Sequence, residues 1–197
     1  MKGPPIRLPA ALEDEPRQII QTAFTFAQQG KAPAIDVERC LRIMSPTRFL
    51  NALWSELVVS ASVGEMESCR RIATFVLAMP RSPITPPLLP IFLHLVVPSL
   101  IFAIDQQQPL PDQTIKVELL VTVVSSALTA ALHLEIGIHL VTGEHRFALG
   151  QPSSAMARKF AADLRARQDN TSRAILQRMA SSQSFAANFP VFMTELG

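Results

Sequence analysis

Apolar residues recur along this chain at the three-and-four spacing of helices, and no stretch alternates as a half-buried strand would. Residues 1–12, with Pro4, Pro5 and Pro9, read as an extended arm. Helical pattern is predicted to begin after Glu13-Asp14-Glu15-Pro16, where acids meet the positive end of the helix dipole and Pro16 suits a first turn. Ile19, Ile20, Ala23, Phe24 and Ala27 form its apolar row, and Gly30 ends it. A short helix follows from about Ile35 to Ile43, with Val37, Cys40 and Leu41 inward. Ser45-Pro46 then restarts the pattern as a cap followed by proline at the first helical position. Phe49, Leu50, Leu53, Trp54, Leu57 and Val58 share one face of that helix, with Arg48, Asn51, Ser55 and Glu56 largely on the other. Gly64 breaks it, Met66, Cys69, Ile72, Ala73, Val76 and Leu77 mark the next, and RSPITPP reads as a turn or extended corner.

Ile84–Val141 is the dominant feature, because its 58 positions contain only five formal charges: Asp105, Asp112, Lys116, Glu118 and Glu135. Its first half predicts a helix from about Leu88 to Ile104 that Pro98 should kink or divide. DQQQPLPDQT is a loop, Asp112 is a candidate N-cap, and Gln113 to Val141 reads as one helix of nearly thirty residues closed by Thr142-Gly143. Beyond it, Ser153 or Ser154 can cap a helix with Met156, Phe160 and Leu164 inward. Asp169-Asn170-Thr171 is a candidate break, and Ile175, Leu176 and Met179 carry the pattern to about Ser182. The tail FAANFPVFMTELG has room for one short docking helix from Pro190.

This makes an all-α chain of seven to nine helices that pair every 35–45 residues. That period suits stacked antiparallel hairpins of the HEAT or armadillo kind, with a compact helical bundle as the alternative. Residues 13–197 are expected to form a single helical domain, the C-terminal part of a longer solenoid.

Composition sharpens the question of where the apolar block sits. Hydrophobic residues make up 48% of the 197, the charged share is 17% against about 25% in ordinary domains, and mean hydropathy is +0.25. Two environments accommodate this, a bilayer with 84–104 and 117–141 as spans, or a core that is closed or shared with a partner. Length alone admits a span at Ile84–Ile104. Against it stand His94 near the centre, four prolines, no flanking basic clusters, no tyrosine and Trp54 as the single tryptophan. His133, Glu135 and His139 weigh against the second span. The favoured reading is a buried core jacketed by amphipathic helices. The net charge of +2 supplies no field that would steer the whole chain toward nucleic acid or anionic lipid.

No catalytic motif is present: G-x-G-x-x-G, G-x-x-x-x-G-K-[ST], G-x-S-x-G and H-E-x-x-H are all missing. His133, His139 and His145 are six apart, a helical rotation of about 240°, so they face different ways and make no metal site. Glu135 and His139 can pair at i, i+4. Cys40 and Cys69 read as buried reduced thiols, not as a disulfide or zinc ligands. No enzyme activity, cofactor, metal or small-molecule substrate is therefore expected. Arg158, Lys159, Arg165, Arg167, Arg173 and Arg178 form the one basic series, either a solvated face or a stripe for an acidic protein partner. No aromatic residues alternate with them as a single-stranded nucleic-acid platform would require.

The segment QQGKAPAIDVERCLRIMSPTRFLNALWSEL, followed by VGEMESCRRIATFVLAMPR, resembles the C-terminal region of the fungal Mediator complex tail subunit 5, whose animal counterpart is Mediator subunit 24. The resemblance is an order of elements over about Arg17–Arg81: a helix ending at Gln28-Gln29-Gly30, a short helix, a Ser45-Pro46 start with a long amphipathic helix, and a helix ending at Pro80. It implies a nuclear, non-enzymatic scaffold in the coactivator that links activators to RNA polymerase II. Its partners would be other protein subunits, with no membrane and no direct nucleic-acid contact, and the family has no catalytic residue to carry over.

Overall fold

The computed structural model describes residues 10–106, 111–144 and 147–197, with side chains over 15–106, 113–144 and 147–197. Every element among them is helical, ten helices in all with no strand. They are α1 (Ala10–Gln28), α2 (Val37–Ile43), α3 (Pro46–Ser62), α4 (Met66–Leu77) and α5 (Leu88–Gln106). Then follow α6 (Pro111–Thr142), α7 (Ser153–Arg167), α8 (Asn170–Ser181), α9 (Gln183–Asn188) and α10 (Val191–Thr194).

Local chemistry explains most boundaries. Ser45 accepts from the Arg48 amide at 3.3 Å with Pro46 at the first helical position, so α3 starts at the expected cap. Asp36 does the same for α2 through the Arg39 amide at 3.0 Å. Gly30 ends α1 with φ of 72°, a left-handed conformation that costs glycine least. The RSPITPP segment is a turn in which Ser82 Oγ accepts from the Thr85 amide at 2.9 Å, pinned by the Arg81 amide donating to the Ala148 carbonyl at 2.8 Å.

Three boundaries depart from expectation. Of the extended arm at 1–12, residues 1–9 lie outside the described residues and Ala10–Leu12 are already helical, which places Pro16 inside α1. Ala10, Ala11 and Leu12 are strong helix formers, and they extend the helix upstream past a proline that lacks one donor. Helix α6 begins at Pro111, just ahead of the expected cap at Asp112. The tail forms α9 as well as α10, because Phe185, Phe189 and Phe192 gather with Phe160 around ring centroids 5.0–6.4 Å apart.

Pro98 perturbs α5 without dividing it. Proline has no N–H for the His94 carbonyl four residues back, and the turn just before it widens to a π-helix over Phe92–Val96, closed by the Val97 amide on the Phe92 carbonyl.

The core is one contiguous cluster centred on the first two-thirds of α6, where Val117, Leu119, Leu120, Val123, Val124, Ala127, Leu128 and Ala131 are buried. Helix α6 packs most extensively on α4 and also touches α3, α7 and α8, while α5 bridges α3 to α8. Helices packed on helices are established; nothing in these contacts specifies a stack of hairpins. Two helical stretches, Leu88–Gln106 and Gln113–Thr142, are long and apolar enough to cross a membrane by length and composition. In their most apolar windows 44% and 39% of residues are already covered by the rest of the chain.

Three of the five charges in the apolar block bind the C-terminal helices. Glu135 on α6 accepts from the Ser153 amide and from Ser153 Oγ at 2.9 Å, so α7 is capped by its neighbour's carboxylate and not by Ser153 or Ser154. Asp105 at the end of α5 accepts from Thr171 Oγ1 at 3.1 Å and faces the Thr171 amide at 3.4 Å, beside the cap that Asp169 makes to Ser172. Glu118 pairs with Arg178 of α8 at a half-exposed position, where an ion pair orients more than it stabilises. Glu135→Ala should cost about 1–2 kcal/mol in urea unfolding, because it strands two donors at the start of α7. An unchanged midpoint would show that this carboxylate does not hold α7 in place.

Glu56 also departs from its expected outward place. It is 8% exposed and receives Arg17 Nε at 2.7 Å and Gln21 Nε2 at 3.3 Å, which ties α1 to α3. A carboxylate taken that far from water needs such partners. Cys40 and Cys69 are free and buried, as expected. Burial is the largest cause that pushes their thiols up, to about 11 and about 12, so neither is a nucleophile near neutral pH.

Candidate functional site

The basic series is mostly neutralised by the chain itself. Lys159 pairs with Asp163 at 2.8 Å, Arg165 with Glu195 at 3.1 Å, Arg167 with Asp169 at 3.1 Å, and Arg178 with Glu118. Arg158 and Arg173 are exposed and have no ion pair among the described residues. Helices α7 and α8 bring Arg165 and Arg173 to one cleft of about 360 Å³, floored by Leu164 and Leu176 and closed by Glu195 and Leu196. Arg158, Lys159, Arg167 and Arg178 lie outside that cleft, so the structure gathers two of the six and not a continuous stripe.

No group of three potential metal ligands converges among the described residues. His133 and His139 are exposed on α6, and His145 lies outside the described residues. His94, half-buried on the wide turn of α5, has both ring nitrogens shielded without a hydrogen-bond partner. Its Nδ1 stands 3.9 Å from Asp163, which Lys159 already holds. Burial, then the Lys159 charge, push its pKa below the ordinary histidine value, and Asp163 pulls it back in part.

The sign of the pH effect follows. The unfolded chain takes up this proton at about pH 6.5 and the folded chain only below that, so the contribution is fully present above about 6.5 and is lost as pH falls toward the lowered value. His94→Leu should therefore lose less stability than the parent between about pH 7.5 and about pH 5. Equal losses in urea titrations at the two values would show that His94 is not the group responsible.

A second surface, which the charge pattern does not flag, is the distal end of α6. From Leu132 to Thr142 no residue is buried, and Leu140 and Val141 are 78% and 86% exposed. On one side, Leu134, Ile138 and Val141 lie in a row along three adjoining clefts shared with the end of α4 and the 80–83 turn. The largest, about 790 Å³, is completed by Phe147 and Ala148. Phe75 and Phe147, which line two of these clefts, add exposed apolar surface. The apolar helix end is thus left uncovered, with His133 the titratable side chain that lines two of the three clefts. The sequence shows only that formal charge stops at Glu135 while α6 continues to Val141, not that this end is uncovered.

No family model matches the sequence, and searches of curated proteins and of solved structures likewise return no significant match.

Proposed function

We propose that this chain is a non-enzymatic helical scaffold that works by contact with other protein subunits. The observation that supports this most is the apolar distal end of α6, uncovered in a molecule whose charged groups are largely paired internally. Within that reading, the narrower proposal is a nuclear subunit of the Mediator tail that links activators to RNA polymerase II. It rests on the resemblance over Arg17–Arg81, whose element order corresponds to α1 through α4. The consecutive pairs α3/α4 and α7/α8 are the units from which a HEAT- or armadillo-like stack would be built. Under the same proposal the cleft that holds Arg165 and Arg173 receives acidic side chains of a partner.

The test is purification of the tagged protein from its own cells without detergent. Stable, stoichiometric association with large helical nuclear subunits is expected, and Arg165→Glu with Arg173→Glu should weaken it more at low salt than at high. The second reading is a membrane-embedded helical protein with spans at 84–104 and 117–141, favoured by the length and hydropathy of Leu88–Gln106 and Gln113–Thr142. Recovery only in detergent, in the membrane fraction, would replace the scaffold by that reading.

A further inference from the structure

The last three turns of α6 are apolar on both sides, Leu134, Ile138 and Val141 toward the clefts and Ile136 and Leu140 away from them. Helix α6 is buried only as far as Ala131, and beyond it these apolar residues are interspersed with His133, Glu135 and His139. The cleft side carries one charged group with no ion pair among the described residues, Arg81. Its amide is fixed to the Ala148 carbonyl and its guanidinium lies beside Gly150, at the rim of the largest cleft. Ser82 and Thr142 complete a polar margin around an apolar floor, the plan of a protein interface core and rim. The floor follows the i, i+4, i+7 row of α6, and such a row leaves a groove that the ridges of another helix fill. No strand among the described residues offers an edge for an extended peptide.

We propose that this groove, bounded by Leu134, Ile138, Val141, Phe147 and Arg81, docks an amphipathic helix of a partner protein. That helix carries a carboxylate at one end of its apolar stripe, set against Arg81. The choice of occupant rests on charge complementarity: an apolar stripe alone would leave the guanidinium facing it unpaired, whereas an acid at its end completes the rim. This deepens the scaffold reading and depends on it.

The direct test uses the full chain and two labelled helical peptides of about 18 residues, each with Leu at i, i+4, i+7 and i+11. One ends the stripe with Glu and the other with Lys. By fluorescence anisotropy the Glu peptide is expected to bind about tenfold tighter than the Lys peptide, and Arg81→Glu to reverse that order. Ile138→Glu should weaken both peptides by about tenfold or more, while Ile136→Glu on the opposite side leaves them unchanged. Matching circular dichroism of the variants keeps folding out of the comparison. Binding of neither peptide, or an order indifferent to Arg81→Glu, overturns the proposal. So does concentration-dependent dimerisation in sedimentation that Ile138→Glu abolishes, which would make the occupant a second copy. Flotation with phosphatidylcholine vesicles lost in Ile138→Glu would make it lipid and overturn the proposal as well. If partner subunits co-purify equally with parent and Ile138→Glu protein, this surface fails and the scaffold reading stands. If none co-purifies with the parent, the scaffold reading itself fails.

Discussion

Leu128→Asp should abolish cooperative folding. Leu128 has no exposed surface and sits on the part of α6 that faces the other helices, so the substitution places a carboxylate in the core without a partner. A buried, unpaired charge of this kind costs on the order of 4–5 kcal/mol or more, against a total stability of about 5–15 kcal/mol for an ordinary domain. The expected observation is a collapsed or absent urea transition followed by circular dichroism. Leu140→Asp is the matched control on the same helix, and at 78% exposure it should shift stability by no more than about 0.5 kcal/mol. The contrast also discriminates environments, because in a bilayer both substitutions would be costly. Native stability in Leu128→Asp would show that α6 is not the centre of the fold.

Phe192→Ala is expected to have the next largest effect. Phe192 is fully buried, with ring centroids 6.4 Å from Phe160 and 5.1 Å from Phe185, and it holds the short helices α9 and α10 against α7 and α8. Helices of six and four residues have too few internal hydrogen bonds to stand alone, so their order comes from this aromatic anchor. Truncation leaves a cavity and should cost about 3–5 kcal/mol. Hydrogen exchange should show the loss of protection first in 183–197, because that segment has the least backbone support of its own. Uniform loss across the whole chain would instead mean that the tail and the α6 core unfold as one unit.

Much of the local structure was legible in the residues. The cap at Ser45-Pro46, the stop at Gly30, the break around Asp169 and the inward rows of α1, α3, α4 and α7 all depend on neighbours within a turn or two. The burial of Cys40 and Cys69 followed from the same periodicity. Where reading failed, a distant residue decided. Glu56 was expected on the outward face of α3, and it is buried where Arg17 and Gln21 approach it from another helix. The tail helix α9 was missed because its signal is three phenylalanines that pack on one another and, through Phe192, on Phe160, not a periodic stripe of useful length.

The candidate sites divide in the same way. The six basic residues are visible in any reading of the sequence, but whether each is available depends on the carboxylate opposite it. Glu118 reaches Arg178 across 60 positions of chain and Glu195 reaches Arg165 across 30, and neither pairing has a local signature. With the local pairs Lys159–Asp163 and Arg167–Asp169 they withdraw four of the six, and Arg158 and Arg173 have no ion pair among the described residues.

The sequence by itself determined that the chain is helical, where most helices start and stop, and most of the residues that face inward in α1, α3, α4 and α7. Those properties follow from backbone hydrogen bonding, capping and the 3.6-residue repeat, all of which act over a few residues. The tertiary structure alone decided that Asp105 and Glu135 hold the starts of α8 and α7, and that burial along α6 ends at Ala131. Those outcomes depend on which helix lies opposite and how far it extends, which no local pattern encodes. Apolar residues continue to Val141 on both sides of Glu135, and only packing separates the part that is core from the part left uncovered.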